Sequence, residues 1–268
     1  MLDQNKSDTT DIAEVMEFTQ MESARQGFVS ALRKHVMVDL AGEMRQDYET
    51  NVKPTYTKNN GEEPGTPRDV KKAMKPRTRY RMWSSLRYNA QEMVWASVQN
   101  GVERALPEMI HLAKDAAETN PAGGSLRLDP DLKIPRYVSA LDVHLMPGCF
   151  HTEHTKDDVA QGAVQVIGGE VFRGSFRHRK GNPGAVGDSI AHYLKLKHPD
   201  FDPKRILDLG CNTGKNLFPY LDVYPDAEAH GVDVGAPLLR YGHAVASHDG
   251  LPVHFSQQNA EHLNFEDN

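Results

Sequence analysis

The residues with the clearest chemical pattern lie between Ile206 and Gly214, where the sequence is Ile-Leu-Asp-Leu-Gly-Cys-Asn-Thr-Gly. An apolar run leads into an acidic residue, and two glycines follow within a few positions. Glycines at such a place let the backbone turn tightly and approach a ligand closely. Ligands of open α/β sheets bind beyond the carboxyl ends of the strands. The pattern therefore predicts a ligand-binding turn between a short buried strand and a helix.

Two phosphate-binding motifs can be compared with this turn, and neither matches it. The dinucleotide fingerprint G-x-G-x-x-G needs glycines where the chain has Asn212 and Lys215. The P-loop G-x-x-x-x-G-K-[ST] needs a glycine in place of Leu209 and a hydroxyl residue in place of Asn216. We therefore expect the turn to bind a ligand by something other than its phosphates.

The turn resembles the D-x-G-x-G-x-G motif of class I S-adenosylmethionine (SAM) dependent methyltransferases, and the resemblance covers about residues 188–268. It implies that SAM is the cofactor and that the acidic residue and the glycine loop hold its methionine part. Asn212 replaces the middle glycine, and asparagine is among the side chains that best tolerate a positive φ. We expect the Cys211 side chain to be a small buried filler. The cofactor-binding residues implied here are Asp208, Gly210, Cys211, Asn212 and Gly214.

Two later segments strengthen the resemblance. The sequence Gly-Val-Asp-Val places Asp233 at the end of a predicted strand, where an acid can accept two hydrogen bonds from ribose hydroxyls. Dinucleotide-binding enzymes use the same device, but in the methyltransferase family this acid binds the SAM ribose, and Val234 would pack on the adenine. After the next strand, Asn259 and Ala260 match the family's adenine-contacting segment, and the Asn259 amide oxygen can accept from the adenine amino group.

The elements that position these residues alternate between strands and helices. Predicted strands are Arg205–Leu209, Ala229–Val234 and Pro252–Gln257, and the connecting helices end near Leu221 and Ser247. A further helix from an N-cap at Asp188 to Lys197 precedes the first strand. The order βαβαβ is the half-unit of a doubly wound parallel sheet. The fold class is therefore predicted to be α/β, a partial Rossmann-like sheet of which the first three strands are present.

The preceding residues, 1–187, are predicted to form a mainly helical domain without a recognised family. In the methyltransferase interpretation this accessory region covers the acceptor site, and residues 188–268 are the SAM-binding half. One predicted helix opens with an Asp11–Glu14 capping box and presents an apolar stripe beginning at Phe28. The other predicted segments are a loop at Asn51–Pro67, a helix at Tyr80–Leu106 with a break or kink at Pro107, a strand at Tyr137–Met146, a short helix at Asp157–Val166 and irregular chain at Gly168–Gly184.

Histidines are frequent in the segment 142–154, which begins inside the predicted strand 137–146. His144, His151, Glu153 and His154 have the side chains of metal ligands, but their spacing matches no zinc signature, so we expect no metal site. A substrate-lining loop with a histidine base is an alternative, and ordinary loop hydrogen bonding is the preferred interpretation.

Composition limits the function classes. The 268 residues carry a net charge of −6, which weighs against nucleic acid as the main partner. No apolar run approaches the ~20 residues of a membrane span. The two cysteines lie far apart in sequence, which predicts no disulfide framework and a reducing, cytoplasmic setting.

The resemblance implies an enzyme that methylates a small-molecule acceptor. In this family the acceptor side is usually built from the fourth strand onward, so no catalytic residue is predicted, and we expect the chain to be a truncated form or fragment of a longer enzyme. One alternative is a nucleic acid methyltransferase that uses residues 68–87, where eight Lys or Arg face one acid. Pairing of those arginines with the acidic C-terminal segment would argue against it. The other alternative is a non-catalytic SAM-binding module.

Overall fold

The computed structural model describes residues 10–174 and 186–266, which are mainly helical in the first range and α/β in the second. The helices are α1 (Gln20–Lys34), α2 (Leu40–Asp47), α3 (Lys53–Asn60), α4 (Pro67–Met74), α5 (Thr78–Thr119), α6 (Arg136–Ser139), α7 (Ala160–Arg173), α8 (Val186–Lys197), α9 (Phe218–Val223) and α10 (Ala236–His248). The strands are β1 (Ser125–Arg127), β2 (Arg205–Leu209), β3 (Glu228–Asp233) and β4 (Val253–Gln257). Short π-helical turns at His35–Asp39 and Tyr48–Val52 join α1, α2 and α3.

The four strands form one parallel sheet in the order β1-β4-β3-β2. In the register of neighbouring strands, Leu209 lies opposite Val232, and Asp233 lies opposite Gln257. Because parallel strands end at the same edge of a sheet, the loops after β2, β3 and β4 meet there. The predicted α/β class, its three strands and the helical N-terminal region are confirmed.

Two features of the sheet differ from the prediction. Strand β1 was not predicted, and it joins the sheet beside β4 with Ser125 opposite His254. Strand β2 was predicted to be buried, yet Leu207 and Leu209 are 40% and 50% exposed. The reason is that β2 is an edge strand: among the described residues it pairs with β3 alone.

Helix α1 begins later than its predicted capping box. The box is formed by Thr19 and Glu22, where the Thr19 Oγ1 accepts from the Glu22 backbone N–H at 3.2 Å and Glu22 returns the bond. The predicted stripe is also wrong in part, because Phe28 is 60% exposed while Val29 is buried. The neighbouring helix α5, and not helical periodicity alone, decides which face of α1 is covered.

Helix α5 continues through Pro107, so of the predicted break or kink the break does not occur. A proline inside a helix removes one backbone hydrogen bond and strains the preceding turn. Packing on both sides of it maintains the helix, since Val102, Met109 and Ala113 are buried in the main core.

Two other segment predictions were wrong. The expected loop 51–67 contains α3, whose C-terminus is closed by Gly61 with φ 78°. The expected strand 137–146 contains the end of α6 followed by irregular chain, and its apolar Leu141 and Val143 are 66% and 78% exposed. No described strand pairs with this segment, so its alternating apolar residues have no partner that would bury them.

Predicted helix boundaries also moved. Helix α7 extends to Arg173, into the region 168–184 that was expected to be irregular, and 175–184 of that region lies outside the described residues. Asp188 lies in the first turn of α8 and not at its N-cap.

The main core lies between α5, α7 and α10, where Val98, Ile167 and Tyr241 are buried. The second core lies between α10 and the sheet, around Leu239 and Phe255. Helix α10 therefore has one side on the sheet and another on the N-terminal helices. Of the helices that the structure describes, none combines the length and apolar character needed to cross a bilayer.

Candidate functional site

The loop after β2 has the backbone shape that its glycines permit. Gly210, Asn212 and Gly214 have φ values of 75°, 57° and 78°. A Cβ on Gly214 would lie 2.6 Å from the Phe218 ring, so no side chain fits there. The backbone N–H groups of Gly210 and Cys211 donate to the Val232 carbonyl at 2.8 and 2.9 Å, which fixes the loop against β3.

Asp233 connects this loop to the end of β3. Its Oδ2 accepts from the Asn212 N–H and its Oδ1 from the Gly235 N–H, both at 2.9 Å. Burial raises the pKa of Asp233, and the bonds from Gly235, Asn212 and Val234 oppose that shift. The carboxylate thus braces the glycine loop and still has lone pairs for a ligand.

Asp208, at the end of β2, is the second acid of the site. Its pKa is raised first by burial and then by the negative charge of Asp233. Because the charge of Asp233 disfavours ionisation of Asp208, the site has a negative potential that a cationic ligand would relieve.

The Cys211 side chain belongs to the core. It is 4% exposed, and a Cβ on Gly231 would lie 2.9 Å from its sulfur. Burial first, and then the charges of Asp233 and Asp208, raise the pKa of the thiol well above its ordinary value. Because this thiol is neutral and buried, the Cys211 side chain fills space in the core, and the residue contributes only its backbone to the loop.

The segment after β4 lies beside Asp233. The Gln258 N–H donates to the Asp233 carbonyl at 3.1 Å. The Asn259 Oδ1 accepts from the Glu261 N–H at 3.0 Å, which closes a turn that leaves Ala260 exposed. The structure therefore brings together all three segments that the sequence singled out. The Asn259 oxygen, expected to face adenine, is already engaged within its own turn.

Two residues beside the glycine loop were missed by the sequence analysis. Lys215 is half-buried, and its pKa is lowered first by burial and then by the charge of Arg173, while Glu170 opposes the shift. Tyr220 has its pKa raised first by burial and then by Asp208. The sequence offered a signal for Lys215, because this residue directly follows Gly214.

The histidine-rich segment forms an irregular loop. Its carboxylate Glu153 is paired with Arg240, and the His144 ring packs edge-on against Phe150 at 5.0 Å. Across the described ranges, no three His, Cys, Asp or Glu side chains are arranged to hold a metal ion.

The basic segment 68–87 is partly neutralised by α2. Arg77 forms two hydrogen bonds with Asp47, at 3.0 and 2.7 Å, and Arg79 lies 3.8 Å from Glu43. These partners replace the expected acidic C-terminal segment. Trp83 donates to the Val36 carbonyl at 2.9 Å and packs in a small core with Met44 and Met74.

Comparison with known proteins agrees with this geometry. Residues 206–268 match the family model described as a methyltransferase domain. Methyltransferase ungE' of Aspergillus campestris is 33% identical over 79 residues, which cover 29% of this chain and 23% of that protein. An uncharacterized protein of Rickettsia prowazekii is 32% identical over 54 residues, which cover 20% of this chain and 22% of that protein.

The matched part therefore spans less than a quarter of each relative. No solved structure matches the chain with significance. Over this segment the chain resembles class I SAM-dependent methyltransferases, and the matches support methyl transfer in general.

Proposed function

We propose that this chain binds SAM beyond the carboxyl ends of β2, β3 and β4 and that it serves methyl transfer to a small-molecule acceptor. The observation that carries the proposal is the pair Asp208 and Asp233 beside a loop with three left-handed residues. SAM carries a sulfonium and an ammonium group, and a site with two interacting carboxylates suits such a cation.

Different residues would bind different parts of SAM. Asp208 and the backbone of Gly210 to Gly214 would hold the methionine part, where a bare loop allows close approach. Asp233 would accept from the ribose hydroxyls through the lone pairs that Asn212 and Gly235 leave free. Val234 and Ala260 would border the adenine.

Bound SAM supplies a methyl group on a sulfur leaving group, so the protein mainly has to align the donor and acceptor and exclude water. Such positioning is worth about 7–11 kcal/mol in well-oriented reactions. Helices α5 and α7 pack on α10, which directly follows Asp233, and thereby connect the N-terminal region to the cofactor half. We assign residues 1–187 the role of an accessory region beside the acceptor.

The strand β1 sharpens that assignment, because the accessory region contributes a strand to the sheet of the cofactor half. The proposed boundary at residue 187 therefore separates an accessory role from a cofactor-binding role, while both regions contribute strands to one sheet. Partial neutralisation of the basic segment by α2 favours a small-molecule acceptor over nucleic acid.

Calorimetric titration with SAM and S-adenosylhomocysteine tests the proposal. We expect both to bind the unaltered chain, and Asp233→Ala to weaken binding by about 10- to 100-fold, since hydrogen bonds to a charged group contribute about 1.5–3 kcal/mol. Asp226→Ala, which removes an exposed acid, is the matched control and should bind normally. Absence of binding by folded, unaltered protein would refute the proposal.

A further inference from the structure

The turn that follows Asp233 is pressed against a loop from the N-terminal region, residues 142–158, which we call the N-terminal wall. A Cβ built on Gly235 would lie 2.7 Å from the Phe150 carbonyl oxygen. The Gly235 N–H in turn donates to Asp233. Phe150 therefore lies against the same turn that holds the carboxylate proposed to bind ribose.

The first half of the wall is fixed by side chains from α5 and α7. The His144 carbonyl accepts from Trp95 Nε1 at 2.8 Å and from Gln91 Nε2 at 3.3 Å. The Pro147 carbonyl accepts from Gln161 Nε2 at 3.0 Å. Three amide and indole groups on packed helices thus hold the irregular backbone in place.

The second half is fixed by α10, the helix that begins directly after Gly235. Arg240 is ion-paired with Glu153 and donates to the Asp158 carbonyl at 3.1 Å. The fully buried Asp158 carboxylate accepts from the His154 and Ala160 N–H groups, each at 2.7 Å. The wall and the ribose turn are consequently attached to the same helix.

The wall backbone is strained, which indicates that the surrounding structure determines its shape. Leu145, Cys149 and Asp157 have φ values of 56°, 53° and 60°. A left-handed conformation costs a non-glycine residue roughly 1–2 kcal/mol, and a bulky residue there is an outlier. Strained residues of this kind persist where neighbouring contacts over-determine them, often beside ligand sites.

We propose that the N-terminal wall forms a preformed side of the SAM pocket that closes its ribose half, with Phe150 as a positioning residue. This inference rests on the proposed function. It makes cofactor affinity a property of residues 142–158 as well as of the glycine loop.

Hydrogen–deuterium exchange with and without S-adenosylhomocysteine tests the inference directly. We expect slower exchange on binding in peptides from 142–158 as well as in those from 208–214. Protection of 208–214 without any change in 142–158 would overturn the inference and leave the proposed function standing. No binding and no protection anywhere would refute the proposed function itself.

Glu153→Gln tests the attachment of the wall to α10, because it removes the ion pair with Arg240. We expect this variant to weaken S-adenosylhomocysteine binding about three- to tenfold, the range for one net hydrogen bond, with little change in the unfolding temperature.

The matched control is Glu103→Gln, which alters an exposed acid on α5 and should bind like the unaltered chain. Unchanged affinity in Glu153→Gln would contradict the positioning role, whereas a purely structural role would lower the unfolding temperature without a selective loss of affinity.

Discussion

Asn212 shows how a single side chain can replace a glycine in a left-handed position. Its φ is 57°, and its Oδ1 accepts from the Thr213 N–H at 2.8 Å. Asparagine adopts this conformation more readily than other side chains because its short amide bonds to the local backbone. The resemblance to a glycine motif therefore survives the substitution at the level of backbone shape.

This leads to a prediction for variants of Asn212. Asn212→Gly should keep the loop conformation, whereas Asn212→Ala should lower the free energy of unfolding by roughly 1 kcal/mol, the strain of a left-handed alanine. Urea denaturation measures the difference, with the exposed helical Asn89→Ala as a control that should be near neutral. Equal stability of the alanine and glycine variants at 212 would contradict this account.

His243 is a single residue that should make the stability of the protein depend on pH. It is 2% exposed on α10, its ring lies 6.5 Å from that of Phe255, and within the described chain its Nδ1 has no hydrogen-bond partner. Burial lowers the pKa of His243 to about 4. The folded protein therefore holds a neutral imidazole, while the unfolded chain takes up a proton near pH 6.5.

The sign of the effect follows from that difference. The contribution of His243 to stability is complete above pH 6.5 and is lost as the pH falls towards 4, by roughly 3 kcal/mol at most. Denaturation curves between pH 7 and 4 should show a smaller loss for His243→Gln than for the unaltered chain. Parallel pH profiles for the two proteins would show that His243 does not titrate in this way.

At the scale of elements, the sequence predicted strands best where elements that are consecutive in the chain are also adjacent in space. The strands β2, β3 and β4 follow one another through short connections, and their apolar runs and turn residues specify them locally. The prediction of a strand at 137–146 was wrong because this segment, although it has similar alternation of residue types, pairs with no described strand. Helix α3 was missed because its polar composition resembles a loop.

Pro107 provides a test of how packing overrides propensity in α5. The residue is exposed, and the helix continues for twelve residues beyond it. Pro107→Ala should therefore raise the free energy of unfolding, by about 1–3 kcal/mol, since proline in a helix interior costs about 3 kcal/mol relative to alanine.

The exposed Pro67, at the first turn of α4 after its capping residue Thr66, is the matched control. Its missing N–H has no helical partner to lose, so Pro67→Ala should be neutral or slightly destabilising. Thermal and urea denaturation of both variants separate the two cases. A Pro107→Ala variant no more stable than the original chain would indicate that the surrounding core already accommodates the proline without strain.

At the scale of the whole molecule, the exposed edge of the sheet has a consequence for association. Strand β2 lies at the edge of the sheet, its Leu207 and Leu209 are partly exposed, and no described strand lies beyond it. An edge of this kind can pair with another chain. We expect the purified chain to self-associate as its concentration rises.

Sedimentation velocity with Leu207→Lys tests this expectation, because a lysine on an edge strand disfavours edge-to-edge pairing. The variant should remain monomeric to a higher concentration than the unaltered chain. Leu196→Lys, which alters a 78% exposed leucine on α8, should not have that effect. Equal association of all three chains would place the contact elsewhere.

The sequence by itself determined the glycine loop, the acid after β3 and the α/β order of the last part of the chain. These features depend on consecutive residues: the turn needs its glycines at fixed spacing, and each strand needs its own apolar run. A single chain segment therefore contains the information that specifies them.

Only the tertiary structure decided which face of α1 is buried, that β1 joins the sheet, and that the N-terminal wall reaches the turn after Asp233. Glu153 and Arg240 meet although they lie 87 residues apart, and nothing local in either segment specifies the other. Contacts of this range arise from the packing of α5, α7 and α10 around a common core. The physical reason is that burial of apolar surface fixes the positions of whole elements, and distant side chains meet as a result.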